Sequence, residues 1–337
     1  MKKTYGFVPF ILFRFLVALS CLFAITQAQQ VANPGPPTSP PPGSATAARR
    51  PMTALKPDAT FQVGGDADWM AVSDDAVWVS TGSLNRVTQL KAKGNVIGLK
   101  ITVEKPCSGL VAGFGSLWIP SCGTHSLVRM DLQTGRIEAT IPAGPVDSEG
   151  CIAIGAEGVW LATGTGGTLS RIDPKNNSVV ASITVPSGSF CPVFADGFVW
   201  VTSTEHSVLT KVDPSTNHAV AEIPVGKNPL FATAGAGSVW TLNQGDGTVS
   251  RVDTKTGKLV ANIQAGLPGH GGEIAFGFGS VWATLDKIPL TRIDASSNEV
   301  VRQWVGEGGD SIRAGLGSIW LTNLKAGLVW RISPDQM

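Results

Sequence analysis

The hydrophobic pattern of the chain repeats about every forty residues, and tryptophans mark the repeat at Trp78, Trp118, Trp160, Trp200, Trp240, Trp282 and Trp320. Each follows a small turn such as Gly237-Ser238 and is followed by a short apolar strand. A further strand, ending in a sequence such as Arg251-Val252-Asp253, comes about ten residues later. Four short strands per unit without a helical period are typical of a propeller blade. The sequence therefore predicts an all-β, seven-bladed β-propeller of four-stranded antiparallel blades.

The two ends of the repeat region predict how the ring closes. After Trp320 and its strand, residues 328–332 supply a third strand but not a fourth. Before the first unit, residues 60–64 form an additional strand. Because an unpaired sheet edge is unfavourable, we expect this N-terminal strand to complete the last blade. A solenoid would instead need a regular convex face and capping units, which the pattern does not show.

Residues that recur in every unit are predicted to be structural. The seven tryptophans fit a role as apolar plugs between blades. The Arg or Lys of the third strand recurs in most units, which favours a role in the fold. The aspartates that follow it are expected to cap the next turn, and they are Asp173, Asp213, Asp253 and Asp294. Binding or catalysis is therefore expected where the blades differ.

The N-terminal residues predict export. Residues 1–14 carry three basic side chains and no acid, residues 15–25 are largely apolar, and small residues precede a predicted cleavage after Ala28. An uncleaved membrane anchor is less favoured, since Arg14 interrupts the apolar stretch. We predict a signal peptide at 1–28, a Pro-rich disordered spacer at 29–57 and the propeller at 58–337. The mature chain is then periplasmic or secreted.

Charge narrows the classes of partner. Lys and Arg number 26 and Asp and Glu 25, and loss of the leader leaves 23 basic residues and a net charge of −2. A near-neutral chain gives no electrostatic reason to expect nucleic acid or an anionic membrane as a partner. We expect a monomer that binds a small molecule or a protein at its channel.

Four cysteines lie beyond the leader, an even number that suggests bridges in an exported chain. Cys107 is predicted to lie opposite Cys122 across the first hairpin of the second blade. Cys151 and Cys191 share one register, nine residues before their tryptophans, in blades three and four. Bridges 107–122 and 151–191 are predicted, and free buried thiols are the alternative.

One face of the ring is the candidate site. It carries the loops that lead into each innermost strand and those that join the second and third strands, and we call it the mouth face. The side chains that we predict to bind a ligand there are Asp68, Glu149, Phe190, Phe231 and Asp310. This acidic ring favours a cation or a cationic ligand, whereas an ordinary solvated rim is the plain alternative.

The sixth blade adds candidate chemistry to the mouth face. His270 and Glu273 lie on one glycine-rich loop, and Asp286 ends the adjacent second strand. An imidazole base with carboxylates that hold a divalent ion, here Glu273 and Asp286, would suffice for proton abstraction and elimination. His270 and Glu273 are the candidate catalytic residues.

The repeat resembles a known group of proteins. Gly-Ser-Val-Trp at 237–240, Thr-Val-Ser-Arg-Val-Asp at 248–253 and Thr-Gly-Lys-Leu-Val-Ala-Asn-Ile at 256–263 resemble the exported YVTN-type propellers. They are also similar to the wider group that includes the virginiamycin B (streptogramin) lyases, over roughly residues 59–332. The resemblance implies either a non-catalytic binding propeller, which we prefer, or a C–O lyase that uses Mg²⁺. The residues alone require no cofactor.

Overall fold

The computed structural model describes residues 49–337, which form the predicted seven-bladed propeller. Two strands precede the first blade, β1 (Arg49–Pro51) and β2 (Ala59–Gln62). Blades 1 to 3 contain β3 (Ala67–Val72), β4 (Ala76–Thr81), β5 (Arg86–Lys91), β6 (Val96–Thr102), β7 (Val111–Gly113), β8 (Ser116–Ser121), β9 (Ser126–Asp131), β10 (Ile137–Ile141), β11 (Ile152–Gly155), β12 (Gly158–Gly164), β13 (Thr168–Asp173) and β14 (Ser178–Thr184).

Blades 4 to 7 continue the same order around the ring. They contain β15 (Ser189–Ala195), β16 (Phe198–Ser203), β17 (Val208–Asp213), β18 (His218–Pro224), β19 (Pro229–Gly235), β20 (Ser238–Asn243), β21 (Thr248–Asp253), β22 (Leu259–Ile263), β23 (Ile274–Gly277), β24 (Ser280–Leu285), β25 (Ile288–Asp294), β26 (Glu299–Val305), β27 (Ile312–Gly315), β28 (Ser318–Asn323) and β29 (Leu328–Ile332). Short 3₁₀ turns occupy Met52–Ala54, Gly82–Leu84 and Pro334–Gln336. Among residues 49–337, no helix has the length and apolar character needed to cross a membrane.

The ring closes as the sequence predicts. Strand β2 pairs antiparallel with β29 and supplies the missing fourth strand of blade 7. Phe61 of β2 is 3% exposed and lies 5.7 Å from the ring of Trp320. An N-terminal strand therefore completes the C-terminal sheet by main-chain pairing and by apolar burial.

Strand β1 was not expected from the sequence. It pairs in parallel with the outer strand β26, so the sheet of blade 6 has five strands. Met52 and Leu55, which follow it, are buried in a cluster with Trp304 and Ile332. Most of the predicted spacer at 29–57 and the whole predicted leader at 1–28 lie outside the described residues, but residues 49–57 are part of the folded unit.

The recurring tryptophans are buried plugs, which confirms the prediction. All seven are at most 1% exposed. In blades 2 to 7 the indole Nε1 donates to the carbonyl five residues earlier, as from Trp118 to Gly113 at 3.1 Å and from Trp160 to Gly155 at 2.9 Å. The apolar ring thus packs between blades while its one donor is satisfied by its own hairpin.

The recurring Arg holds neighbouring blades together. Arg251 stacks 4.7 Å from the ring of Trp240 in its own blade. Its Nη1 donates to Ala295 O (2.8 Å) and Asn298 Oδ1 (2.9 Å) in a turn of the next blade. Asn298 has φ 60°, a left-handed conformation that Asn adopts more readily than most residues. The same clamp, Arg to a carbonyl and a left-handed Asn, recurs from Arg129, Arg171 and Arg331.

The aspartates after these arginines cap their turns, as predicted. Asp173 Oδ1 accepts from Lys175 N at 2.8 Å, and Asp213, Asp253 and Asp294 accept from equivalent main-chain groups. These hydrogen bonds favour the ionised form, so the pKa of Asp294 is lowered to about 2 by Ser296 and Ser297. The repeated polar residues therefore act in the fold, which leaves function to the positions that vary.

Candidate functional site at the mouth face

The central channel is filled just below the mouth face. The residues nine positions before each recurring tryptophan begin the inner strands, and they are Trp69, Gly109, Cys151, Cys191, Phe231, Glu273 and Ser311. All seven are buried. Trp69 of blade 1 lies 5.8 Å from the ring of Phe231 in blade 5, so this contact joins two blades that are not neighbours. We call these seven residues the channel plug. The channel plug forms the floor of the mouth, and Phe231 belongs to this buried layer and not to the mouth surface.

Both predicted disulfides are present. Cys107 and Cys122 join the start of the first hairpin of blade 2, with Cα atoms 5.8 Å apart. Cys151 and Cys191 join the inner strands of blades 3 and 4, with Cα atoms 4.5 Å apart. Because Cys151 and Cys191 belong to the channel plug, one covalent bond fixes part of the floor below the mouth.

Three of the predicted acidic residues share one electrostatic environment at the mouth. Burial raises the pKa of Asp68 well above its usual range, and the charges of Asp310, Glu149 and Glu273 raise it further. The pKa of Glu149 is raised to about 7, first by loss of hydration at its carboxyl group and then by Asp310, Asp147 and Glu273. Glu149 as a whole residue is exposed, so the loss of hydration is confined to its carboxyl end, and the neighbouring carboxylates add to it. Carboxylates from blades 1, 3 and 7 thus crowd together, and within residues 49–337 none of Asp68, Glu149 and Asp310 forms an ion pair.

Asp310 is oriented by the loop of the preceding blade. Its Oδ1 accepts from Gly272 N at 3.0 Å, and its carbonyl accepts from the Thr284 hydroxyl. Gly272 has φ 79°, and a Cβ there would lie 2.1 Å from Thr284 O. Only glycine fits this turn, so the glycine-rich loop presents an N–H to Asp310.

Glu273 is engaged within the fold. It is 4% exposed, and its Oε2 accepts from Ser311 Oγ (2.6 Å) and Ile312 N (3.1 Å) and forms an ion pair with Arg313. His270 is exposed on the same loop. The structure therefore does not join His270 and Glu273 in a hydrogen-bonded pair.

The other predicted residues lie at the rim. Asp286 is exposed and lines a cavity of about 520 Å³ between blades 6 and 7, together with Glu307 and Asp310. A second cavity of about 540 Å³ between blades 1 and 2 is lined by Asp68 and Glu149 among others. Phe190 is partly buried, and its carbonyl accepts from Cys151 N at 3.3 Å. Asp310 thus lines the first cavity, and Asp68 and Glu149 line the second.

The mouth face as a whole is acidic. Besides Asp68 and Glu273, its loops carry nine carboxylates, at Asp66, Glu104, Asp147, Glu149, Glu205, Asp246, Asp286, Glu307 and Asp310. The same loops carry four lysines, at Lys105, Lys227, Lys287 and Lys325. A chain that is near neutral overall therefore has one face with a negative potential, which attracts cations over distances of about a Debye length.

The residues do not fit the Mg²⁺ site that the resemblance implies. Among residues 49–337, no three His, Cys, Asp or Glu side chains are placed to hold a metal ion together. Glu273 uses Oε2 for Ser311, Ile312 and Arg313, while Asp286 stands apart on the rim. A divalent ion prefers several oxygens around one point, whereas Glu273 is buried and engaged in the fold and Asp286 lines a cavity at the rim.

Trp69 and Arg313 were missed by the sequence reasoning. Trp69 is one of three tryptophans outside the forty-residue spacing, and Arg313 lies in an inner strand among apolar residues. The sequence does contain a signal for Trp69, because it lies nine residues before Trp78, the same register as Cys151 and Cys191.

Comparisons with known proteins support the fold and leave the activity open. The family model "Repeat of unknown function (DUF6923)" matches residues 148–258. A solved streptogramin B lyase matches with a TM-score of 0.68 and 16% identity, over 82% of this chain and 97% of that chain. Virginiamycin B lyase from Staphylococcus aureus matches with a TM-score of 0.67 and 16% identity, over 82% of this chain and 98% of that chain. Hydrazine synthase from Kuenenia stuttgartiensis matches with a TM-score of 0.66 and 13% identity, over 83% of this chain and 98% of that chain. The sequence has no match among curated proteins.

Proposed function

We propose that this protein is an exported binding protein that takes up a cationic small molecule at its acidic mouth. The observation that carries the proposal is the crowding of Asp68, Glu149 and Asp310, which raises the pKa of Asp68 and Glu149. Carboxylates that repel one another are stabilised by a cation placed among them. Because their oxygens line two neighbouring cavities, an elongated organic cation suits them better than one metal ion.

The filled channel supports binding at the mouth. The channel plug, including the Trp69–Phe231 contact and the Cys151–Cys191 bond, lies below the carboxylates. A ligand would therefore enter and leave by the mouth face without passing through the ring. Glu273 is already paired with Arg313, so the carboxylates left to attract a cation are Asp68, Glu149 and Asp310, which form no ion pair within residues 49–337.

Export belongs to the same proposal. Two disulfides are typical of an oxidising, extracellular compartment. The leader pattern at 1–28 supports cleavage after Ala28, with residues 29–48 as a spacer to the folded unit. We propose a monomeric mature protein in the periplasm or the medium.

A streptogramin lyase is the second candidate, because the solved structures similar to this chain include lyases of that kind. His270 is exposed on the mouth face and could act as a base there. Against this, Glu273 is held by Arg313, and the described residues form no metal-binding group. We therefore expect no ring opening of a streptogramin B antibiotic by wild type, and no difference when His270 is changed to Ala.

The binding proposal is tested by calorimetric titration of the disulfide-intact protein with spermidine, arginine and Mg²⁺ at pH 6 and pH 8. Spermidine should bind more tightly at pH 8, with release of protons, since ionised carboxylates attract it. Asp68→Asn and Asp310→Asn should each weaken binding about tenfold or more. Glu299→Gln, an exposed acid on the opposite face, should leave binding unchanged. Absence of saturable binding by any cation, or equal effects of all three substitutions, would refute the proposal.

A further inference from the structure

The seam where blade 7 meets blade 1 contains polar groups that the fold leaves unsatisfied. Strands β4 and β5 pair in register, with Thr81 opposite Arg86 and Val79 opposite Thr88. These residues share one sheet face with Val77 and Leu90, since side chains alternate along a strand. That face packs against Phe61, Trp320 and Val329 of blade 7, which places the side chains of Thr81, Arg86 and Thr88 at the closure seam.

Three buried polar atoms at this seam have no hydrogen-bond partner within residues 49–337: Thr81 Oγ1, Thr88 Oγ1 and Arg86 Nε. Thr81 and Thr88 are fully buried. Arg86 Nη2 donates to Val63 O, and Arg86 takes part in no ion pair with a described carboxylate. A buried donor without a partner costs about 1–3 kcal/mol, so three in one place require an explanation.

Blades 3 and 5 satisfy the same positions internally, whereas Thr210 of blade 4, which stands where Thr88 stands in blade 1, also has no partner among residues 49–337. In blade 3, Thr163 and Ser170 occupy the positions of Thr81 and Thr88, and their hydroxyls bond to each other at 2.7 Å. In blade 5, Asn243 Nδ2 donates to Thr248 Oγ1 (2.9 Å) and Ser250 Oγ (2.8 Å) at the corresponding places. Blade 1 differs because a cationic Arg86 replaces a small hydroxyl residue. The difference introduces a positive charge and a further donor, Nε, which has no acceptor among residues 49–337.

We propose that the seam between blades 7 and 1 binds a small monovalent anion of halide size. The anion accepts hydrogen bonds from Arg86 Nε and from the hydroxyls of Thr81 and Thr88, and it balances the guanidinium charge. Thr81 and Arg86 are directly opposed in the antiparallel pair, so their side chains begin about 5 Å apart, and Thr88 lies on the same face, diagonal to Thr81 and two residues from Arg86. Arg86 is partly buried and its Nε is fully buried, and a cation drawn away from water is stabilised by a paired charge, which favours an anion over water here.

Crystals of the disulfide-intact protein soaked in sodium bromide test the site directly. A bromide anomalous peak within hydrogen-bonding distance of Arg86 Nε and both threonine hydroxyls is the expected result. Ordered water at that position without anomalous signal would overturn the proposal.

Thermal unfolding at constant ionic strength gives an independent readout, with chloride exchanged for gluconate. Above the dissociation constant, Tm should rise by about 3 °C for each tenfold increase in chloride. Arg86→Gln should abolish this dependence, and Thr88→Val, which keeps the shape of the side chain, should reduce it. Thr163→Val in blade 3 is the matched control and should lower Tm without altering the response to chloride. A wild-type Tm that does not depend on chloride would refute the anion site even if a variant failed to fold.

Discussion

Asp68 and Glu149 hold protons at a higher pH than isolated carboxyl groups do, because desolvation and neighbouring carboxylates oppose their ionisation. For Glu149 the pKa rises from 4.5 to about 7. Between these values the native chain binds protons that the unfolded chain has released. The free energy of unfolding therefore falls as the pH rises through this range, and the mouth destabilises the fold when it is fully ionised.

Asp68→Asn tests whether ionisation of the mouth carboxylates destabilises the fold. The amide cannot ionise, so the variant should be more stable than wild type at pH 7.5, by on the order of 1 kcal/mol. At pH 4, where the wild-type carboxyl is protonated, the two proteins should differ little. Urea unfolding at both pH values measures the effect, with Glu299→Gln as the control. Parallel pH profiles for wild type and Asp68→Asn would show that the mouth carboxylates do not repel one another.

At the scale of single elements, the third strand of a blade is tied to the next blade by its Arg clamp. Arg251→Ala removes a cation–π contact and two hydrogen bonds to the turn that carries Asn298. We expect a loss of about 3 kcal/mol, because charged hydrogen bonds contribute more than neutral ones. Arg136→Ala, an exposed arginine in the turn that follows β9, should cost less than about 0.5 kcal/mol. Chemical denaturation compares the two, and equal losses would contradict the clamp.

The elements differ in how far the sequence could predict them. The spacing of the tryptophans predicts the blades and the closing strand β2, since each strand occupies a fixed place in the repeat. Strand β1 gives no such signal: it is three residues long, lies outside the repeat and ends at Pro51 in a Pro-rich stretch. Its pairing depends on the exposed edge of β26, which is a tertiary feature. Pro is tolerated there because an edge strand need not donate at every residue.

At the mouth, too, the sequence predicts which face a residue lies on but not the partners of its side chain. The acidic residues could be placed on one face from strand order alone, and Asp68, Glu149 and Asp310 do come together. The partners of individual side chains could not be predicted, because they depend on which way each residue points. Glu273 stands in the register of Cys151, and so it turns into the channel plug towards Ser311 and Arg313. His270, three residues earlier in a loop with no fixed register, lies at the surface.

At the scale of the whole molecule, the ring is held closed by contacts between residues far apart in sequence. Phe61 contacts Trp320, and the main chain of Val63 bonds to Gly327 O at 3.0 Å. Ile183 is the matched residue of an ordinary outer strand, because it pairs with Leu169 as Phe61 pairs with Val329. Strand β14 follows β13 through a tight turn, whereas β2 has no such covalent link to β29.

Phe61→Ala and Ile183→Ala should therefore differ in kind as well as in size. Both create a cavity, with expected losses of about 4 and 3 kcal/mol. In Ile183→Ala, faster hydrogen exchange should be confined to β14 and its partner β13, since the turn keeps the strand close. In Phe61→Ala, release of β2 uncovers the edge of blade 7 and the adjoining face of blade 1, so β2, β29 and β5 should lose protection together. Confinement of the faster exchange to β2 alone would show that the propeller stays closed without its terminal strand.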